Sequence, residues 1–367
     1  MKASDCRVCE LPSSILVRGV NWVGDTVMTL PAMKSLRGMF PGAHLIFWAP
    51  ESVEKLLKVS RIPDEIVTFP HALNKISRPF LMRSVLARLR VDLVVLFQNA
   101  FESAFTAWMA GIPLRAGYPT DARGPFINLK VPLTNEIRSQ HQVYYYLNIV
   151  NHVGDFFGLR NQDMNSKPDC SIQLNRSLRE NAEFLLSSIP DGGRSRSTFC
   201  LCPGSVNSLA KRWPAANFAA LADLLIEQTD ALVVFMGSPD EREMIDSIME
   251  TMKHRNCLNM AGASNLEQSL GIMNLSDLVI SNDTGSAHLA VAAGAKVLTI
   301  FGPTIPGATA PFGNGARIIK GQASCSPCRH FACPLPEHPC MTSVSPHSVL
   351  QTALEMTESG GQNNASD

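Results

Sequence analysis

The stretch LVRGVNWVGDTVMTLPAMKSL, residues 16–36, decides how the rest of the chain is read. Ile15, Leu16 and Val17 are a short apolar run of the kind that fills a buried strand, and from Asp25 onward Val27, Met28, Leu30, Met33 and Leu36 recur at helical spacing. The segment is therefore a strand, a loop and a helix, with an acid directly after Gly24 at the mouth of the unit. In a parallel α/β sheet that edge gathers loop amides and helix N-termini, and ligands bind there. Asp25 is either a ligand-facing acid or the N-cap of the helix.

Working outward, strand-like runs at Ile15–Arg18, His44–Trp48, Glu65–Phe69, Leu93–Phe97 and Leu114–Gly117 are separated by amphipathic segments, the pattern of a doubly wound parallel sheet. Residues 138–157, RSQHQVYYYLNIVNHVGDFF, predict one long helix with Val143, Tyr146, Leu147 and Val150 on a face. Residues 161–170, NQDMNSKPDC, are polar and turn-rich, as a linker is. Strands then resume at Ser197–Cys202, Ala231–Met236, Cys257–Met260, Leu278–Ser281 and Lys296–Phe301. The expected fold is α/β with two Rossmann-like domains, 1–170 and 171–344. A helix over 345–358 is expected to fold back on the first domain, ahead of a disordered tail over 359–367, SGGQNNASD.

Composition agrees. A chain of 367 residues is too long for one ordinary core. It is 45% hydrophobic and 17% charged, and it has no apolar run of the roughly 18 residues that a membrane span requires. The opening residues MKASDCRVCELPSS lack the apolar core of a signal peptide, so a cytoplasmic protein is expected. Net charge is formally zero, and no nucleic-acid partner is expected. Residues 1–150 nevertheless carry 17 Lys and Arg against 11 Asp and Glu, leaving 15 and 21 for the remainder. A basic first half suits an anionic partner.

Three loops of the second half carry chemistry, and each follows a predicted strand. In CPGSVNSLAKRWP, residues 202–214, Gly204 and Ser205 offer amides and a hydroxyl while Lys211 and Arg212 bring positive charge, which suits a phosphate. In MGSPDERE, residues 236–243, Glu241 or Asp240 is placed to accept from ribose hydroxyls, or to cap a surface helix. In ISNDTGSAHLAVAAGAKVLTIFGPT, residues 280–304, Asp283, Thr284 and Gly285 open a helix whose amides and dipole favour a phosphate, with His288 on its first turn. The alternative there is a capped core helix with a buried His288. A pyrophosphate between the Ser205 loop and the Thr284 helix needs no metal, because amides and Lys211 neutralise it. No nucleotide-hydrolysing P-loop and no G-x-G-x-x-G is present. Cys325, Cys328, Cys333 and Cys340 stand in a C-x2-C-x4-C-x6-C spacing that suits zinc or an iron–sulfur cluster, or else a stiff proline-rich loop with buried thiols.

Together GVNWVGDTVMTLPA, PGSVNSLAKRWP, SNDTGSAHLAVAAG, FGPT and the cysteine segment resemble the ADP-heptose:lipopolysaccharide heptosyltransferases, glycosyltransferase family nine, from about Ile15 to Val349. The resemblance implies the GT-B architecture, two Rossmann-like domains facing a cleft, and an inverting transfer of heptose from ADP-heptose to a lipopolysaccharide core precursor. Asp25 falls on the general base, Lys211 on the residue that stabilises departing ADP, and Ser205, Thr284 and Gly285 on phosphate-binding positions. The Asp283 loop with His288 matches the donor-site signature, Glu241 a ribose-binding acid and Leu266 an adenine-contacting position. No metal or other cofactor is implied. NWVGD and AKRWP resemble the subgroup that extends an existing heptose, a heptosyl-Kdo2-lipid A type acceptor. That subgroup often carries an acid after Pro-Gly-Ala, where this chain has Gly204, Ser205, Val206 and Asn207. The acceptor's place at the cytoplasmic face of the inner membrane makes Arg18, Arg115 and Arg123 the candidate acceptor contacts. The rival readings are a non-hydrolysing sugar-nucleotide epimerase of the same shape, a metal or redox protein built on the cysteine segment, and a purely structural nucleotide-binding module.

Overall fold

The computed structural model describes residues 10–69, 78–159, 167–187, 197–205, 208–328 and 330–358. The expected tail over 359–367, the first nine residues and most of the expected linker lie outside the described residues. The chain divides into two compact units, Met1–Asp169 and Cys170–Asp367.

The first unit runs β1 (Ser14–Arg18), α1 (Val23–Met39), β2 (His44–Pro50), α2 (Glu51–Ser60), β3 (Glu65–Phe69) and α3 (Arg78–Arg88), then β4 (Leu93–Leu96), α4 (Phe101–Met109), β5 (Leu114–Gly117), β6 (Leu129–Lys130), α5 (Asn135–Ser139) and α6 (Gln142–Phe156). Its strands are all parallel in the order β3-β2-β1-β4-β5-β6, with Leu16 in register with Ile46 and Val94. Ile15, Leu16, Val17 and the whole of β4 are fully buried. Strands covered on both faces carry unbroken apolar runs, and this is why β1 and β4 were legible. On one face Leu16, Ile46, Val94 and Leu96 meet Met82 and Leu86 of α3 and Ala104 and Ala107 of α4. The order reverses between β1 and β4, so the loops after these two strands splay apart at the C-terminal edge of the sheet.

The long helix expected over 138–157 is two helices. His141 is extended and its ring Nδ1 accepts the Val143 amide at 3.2 Å, a cap that starts a new helix at Gln142. The buried face of α6 is Val143, Tyr146, Ile149, Val150 and Val153, whereas Leu147 is half-buried and lines a cavity of about 480 Å3 with Pro31, Tyr144 and Asn148.

The second unit runs α7 (Arg176–Ser187), β7 (Thr198–Cys202), α8 (Ala215–Thr229), β8 (Leu232–Phe235), α9 (Arg242–Thr251), β9 (Cys257–Asn259) and α10 (Leu266–Leu275), then β10 (Leu278–Asn282), α11 (Gly285–Ala292), β11 (Val297–Phe301), α12 (Pro306–Thr309), β12 (Ala316–Lys320), α13 (Pro339–Thr342) and α14 (Pro346–Glu358). Its parallel order, β12-β11-β10-β7-β8-β9, repeats the first topology, with the reversal between β7 and β10. The edge strands β6 and β12 were not expected: β6 is two residues long, and β12 is half-exposed.

The apolar stripe of the helix expected over 345–358 is buried in the core of the second unit. α14 packs on α8, burying Val349, Leu350, Ala353 and Met356 in the core that holds Phe218, Leu221 and Leu225. Each buried Val, Leu or Met contributes about 1.5–3 kcal/mol. The Lys296 ammonium donates to the Met356 carbonyl at 2.7 Å, satisfying one of the open carbonyls of the last turn.

Candidate active site

The expected donor residues of the second unit converge on the C-terminal edge of its sheet. Pro203–Ser205 follow β7, Glu241 follows β8, Leu266 opens α10 after β9, and Asp283–Gly285 follow β10. Side chains tie these loops together. Asn282, fully buried, donates from Nδ2 to the Pro203 carbonyl at 2.7 Å and accepts the Trp213 amide on Oδ1 at 3.0 Å. Arg212 donates to the Ser205 carbonyl at 3.1 Å, so its charge is turned toward backbone. The Glu241 carboxylate accepts the Ser238 amide at 2.8 Å and lies hard against the next loop, where a Cβ on Gly204 would come within 1.9 Å of Oε1. A side chain at position 204 would have to displace the Glu241 carboxylate.

Lys211 and Asp283 form the electrostatic centre. Nζ lies 2.7 Å from Asp283 Oδ2, with the Lys211 side chain 26% exposed and that of Asp283 5%. Thr304 Oγ1 donates to the same carboxylate oxygen at 2.7 Å. An ammonium has three donors, so the pair leaves Lys211 able to bond an incoming anion. Beside it Thr284, in extended conformation, precedes α11 and makes no side-chain capping bond, and Thr284, Gly285 and Ser286 are half-buried. The first amides of a helix are open donors in the positive half of its dipole. His288 is buried one turn further in, at 6% exposure. Leu266 is half-buried at the start of α10, which Asn265 and Gln268 close with a reciprocal capping box.

The cysteine segment braces this site. Cys325, Cys328, Cys333 and Cys340 line one cavity of about 60 Å3 together with His330 and His338, and all four are free thiols. Burial pushes the Cys340 thiol up, with the neighbouring Cys325, Cys333 and Cys328 adding to the shift. Among the described residues no group of three or more His, Cys, Asp or Glu is arranged to hold a metal ion. The segment grips the Lys211 loop: the Ala210 amide donates to the Phe331 carbonyl at 2.9 Å, Ser208 Oγ donates there at 3.1 Å, and His338 Nε2 donates to the Ala210 carbonyl at 2.7 Å. On its other side the Cys328 amide reaches the Pro303 carbonyl at 3.1 Å, next to the Asp283 partner Thr304.

In the first unit Asp25 is not the N-cap. α1 starts at Val23 after Trp22, so Asp25 is its third residue, half-buried on the first turn. It stands near Tyr146, whose phenol is pushed above its usual value by burial first and by the Asp25 charge second.

Arg18, Arg115 and Arg123, the expected acceptor contacts, each make hydrogen bonds within the first unit. Arg18 is 2% exposed, donates to the Trp48 carbonyl at 3.3 Å and Asn21 Oδ1 at 3.2 Å, and lies 4.9 Å from the Trp48 ring centre. Arg115 donates to the Phe126 carbonyl at 2.6 Å and to the carbonyls of Ile112 and Pro113. Arg123 is fully buried and donates to the carbonyls of Tyr118, at 2.8 Å, and Gln98, and to Asn99 Oδ1 at 2.6 Å. Burial pushes its guanidinium down to about 10, still protonated at neutral pH. Two of the charges behind the basic excess are therefore inside the unit, where carbonyl dipoles satisfy them.

The sequence profile of glycosyltransferase family 9 (heptosyltransferase) matches residues 81–338. The chain belongs to this family. It is 28% identical to lipopolysaccharide heptosyltransferase 2 of Escherichia coli strain K12 over 92% of this chain and 96% of that one. To lipooligosaccharide heptosyltransferase 2 of Campylobacter jejuni it is 25% identical, over 93% and 98%. The structure of ADP-heptose lps heptosyltransferase II from E. coli superposes with a TM-score of 0.79 at 25% identity, covering 95% of this chain and 99% of that one. Two all-parallel sheets of one topology are thus the GT-B type fold.

Seen as a family 9 chain, the residues missed in the sequence are those that hold others in place. Asn282 had a signal, a polar residue ending the apolar strand LVISN. His338 had none beyond its residue type, because it acts on Ala210, more than 100 positions away.

Proposed function

We propose that this family 9 chain is an inverting heptosyltransferase that moves L-glycero-D-manno-heptose from ADP-heptose to a heptose already present on the lipopolysaccharide inner core. The observation that carries the reading is the Lys211–Asp283 pair at 2.7 Å beside the open N-terminus of α11. A buried acid there fixes one cation where a diphosphate meets helix amides. In the reaction an acceptor hydroxyl oxygen bonds to the anomeric carbon as the bond from that carbon to ADP breaks. Asp25 takes the hydroxyl proton, and ADP leaves with the electron pair. Lys211, the Ser205 loop and the amides at Thr284 and Gly285 meet the charge that grows on the leaving phosphate, while Glu241 and Leu266 serve the ribose and the adenine. With a lysine and two sets of amides on the diphosphate, no divalent metal is required. The relatives' names favour this transfer over the epimerase and redox readings. Contact with the inner-membrane face is peripheral in this reading: among the described residues no helix is long and apolar enough to cross a membrane. The test offers ADP-heptose with a panel of truncated core acceptors. Transfer only to acceptors that end in a first heptose is expected, and no transfer to any of them overturns the reading.

A further inference from the structure

Helices α3 and α4 lie side by side in the first unit, and their inner faces close its core through Met82, Leu86, Ala104 and Ala107. Their outer faces are unusual for a surface. On α3 Phe80, Leu81 and Val85 are 59%, 52% and 41% exposed, and on α4 Phe101 and Trp108 are 45% and 48% exposed. Single exposed apolar residues need no explanation, but five large ones on two adjacent helices do. The α4 rings are held out rather than loose: Phe101, Phe105 and Trp108 each meet Phe126 with centroids 5.3–5.4 Å apart.

Charge decides what covers this face. Residues 78–90, RPFLMRSVLARLR, hold four arginines and no acid, and Arg83, Arg88 and Arg90 are exposed. The single acid on the two helices, Glu102, is half-buried. Apolar side chains with only cations among them match a lipid surface: the rings enter the headgroup region while guanidinium groups stay level with anionic phosphates. A nucleic acid has no use for Phe80 and Leu81, and an apolar protein surface has none for the arginines. Placement agrees, since α3 and α4 follow β3 and β4 and so begin at the same sheet edge as the Asp25 loop.

We propose that the outer face of α3 and α4 docks the chain on a bilayer rich in anionic lipid. The proposal rests on the heptosyltransferase reading only in that a lipid-linked acceptor gives such docking its purpose. The full chain is floated with vesicles of phosphatidylcholine alone, or with added phosphatidylglycerol, at low and high salt. The unaltered protein floats only with anionic vesicles and is released by salt. Arg83→Ala with Arg88→Ala weakens binding about thirtyfold, from roughly fivefold per surface arginine. Phe80→Ser with Leu81→Ser weakens it at least tenfold. Both double variants keep the unaltered rate on a delipidated, water-soluble core acceptor, which shows that they fold. Failure of the unaltered protein to float, or floating of both variants as fully as the unaltered protein, overturns the proposal, as does a dimer in light scattering that Phe80→Ser with Leu81→Ser splits in the absence of vesicle binding. Vesicle binding with no transfer to the soluble acceptor supports the docking face and removes the heptosyltransferase reading.

Discussion

Replacing Lys211 by alanine removes two things at once, and the structure allows them to be separated. The first is the partner of a buried charge. The Asp283 side chain is 5% exposed and, among the described residues, would keep the Thr304 hydroxyl at 2.7 Å. Orphaning one member of a buried pair costs about 3–5 kcal/mol, and because Lys211 is itself partly exposed, water entering its place reduces this to about 2–3 kcal/mol. For a unit of this size that lowers the melting temperature by about 4–12 °C. The second is the cation at the leaving diphosphate, whose loss slows turnover by about 10²–10³. The double variant Lys211→Ala with Asp283→Asn has no orphaned carboxylate, so it should recover most of the melting temperature while turnover stays low. Thermal unfolding and ADP release under saturating substrates read the two effects separately. If the double variant regained the unaltered rate, Lys211 would serve only to neutralise Asp283 and the leaving-group role would be refuted. If Lys211→Ala alone melted normally, the pair would not be the structural element described here.

Asp25→Asn should retain the fold and ADP binding while slowing transfer by about 10²–10⁴; near-normal turnover of the purified variant would remove Asp25 as the base. Arg123→Ala leaves the buried Tyr118 carbonyl without its Arg123 donor, while the Gln98 carbonyl still accepts from Ser103 Oγ at 3.2 Å, so urea unfolding should show a loss of about 1–3 kcal/mol with the acceptor KM unchanged in whatever protein remains folded. A raised acceptor KM at full stability would restore Arg123 as an acceptor contact. His338→Ala releases the Ala210 carbonyl and loosens the Lys211 loop, which should raise the KM for ADP-heptose about fivefold while leaving acceptor KM unchanged; equal effects on both substrates would contradict a local brace. Transfer should persist in EDTA, and a loss that magnesium or manganese restores would show that the diphosphate site needs a metal.

Patterns written over a few neighbouring residues were legible in the sequence. The apolar runs of β1, β4, β7 and β10 announce strands buried on both faces, and the loops that follow β7, β8 and β10 announce their chemistry through Gly204, Glu241 and Asp283, because strand period and loop composition are local properties. What the tertiary structure alone decided is where each polar group finds its partner. An arginine reads the same in sequence whether water or carbonyl oxygens surround it, so the basic excess of the first half pointed outward, whereas Arg18 and Arg123 are spent inside. His141 starts a new helix inside a stretch that periodicity reads as one, because its ring accepts the Val143 amide. The apolar stripe of α14 was visible in the sequence, but its choice of α8 was not. The grip of His338 on Ala210 spans 128 positions, and no local pattern encodes it. Burial and partnership depend on which distant segments the two sheets bring to a shared edge, and that is a property of the folded chain.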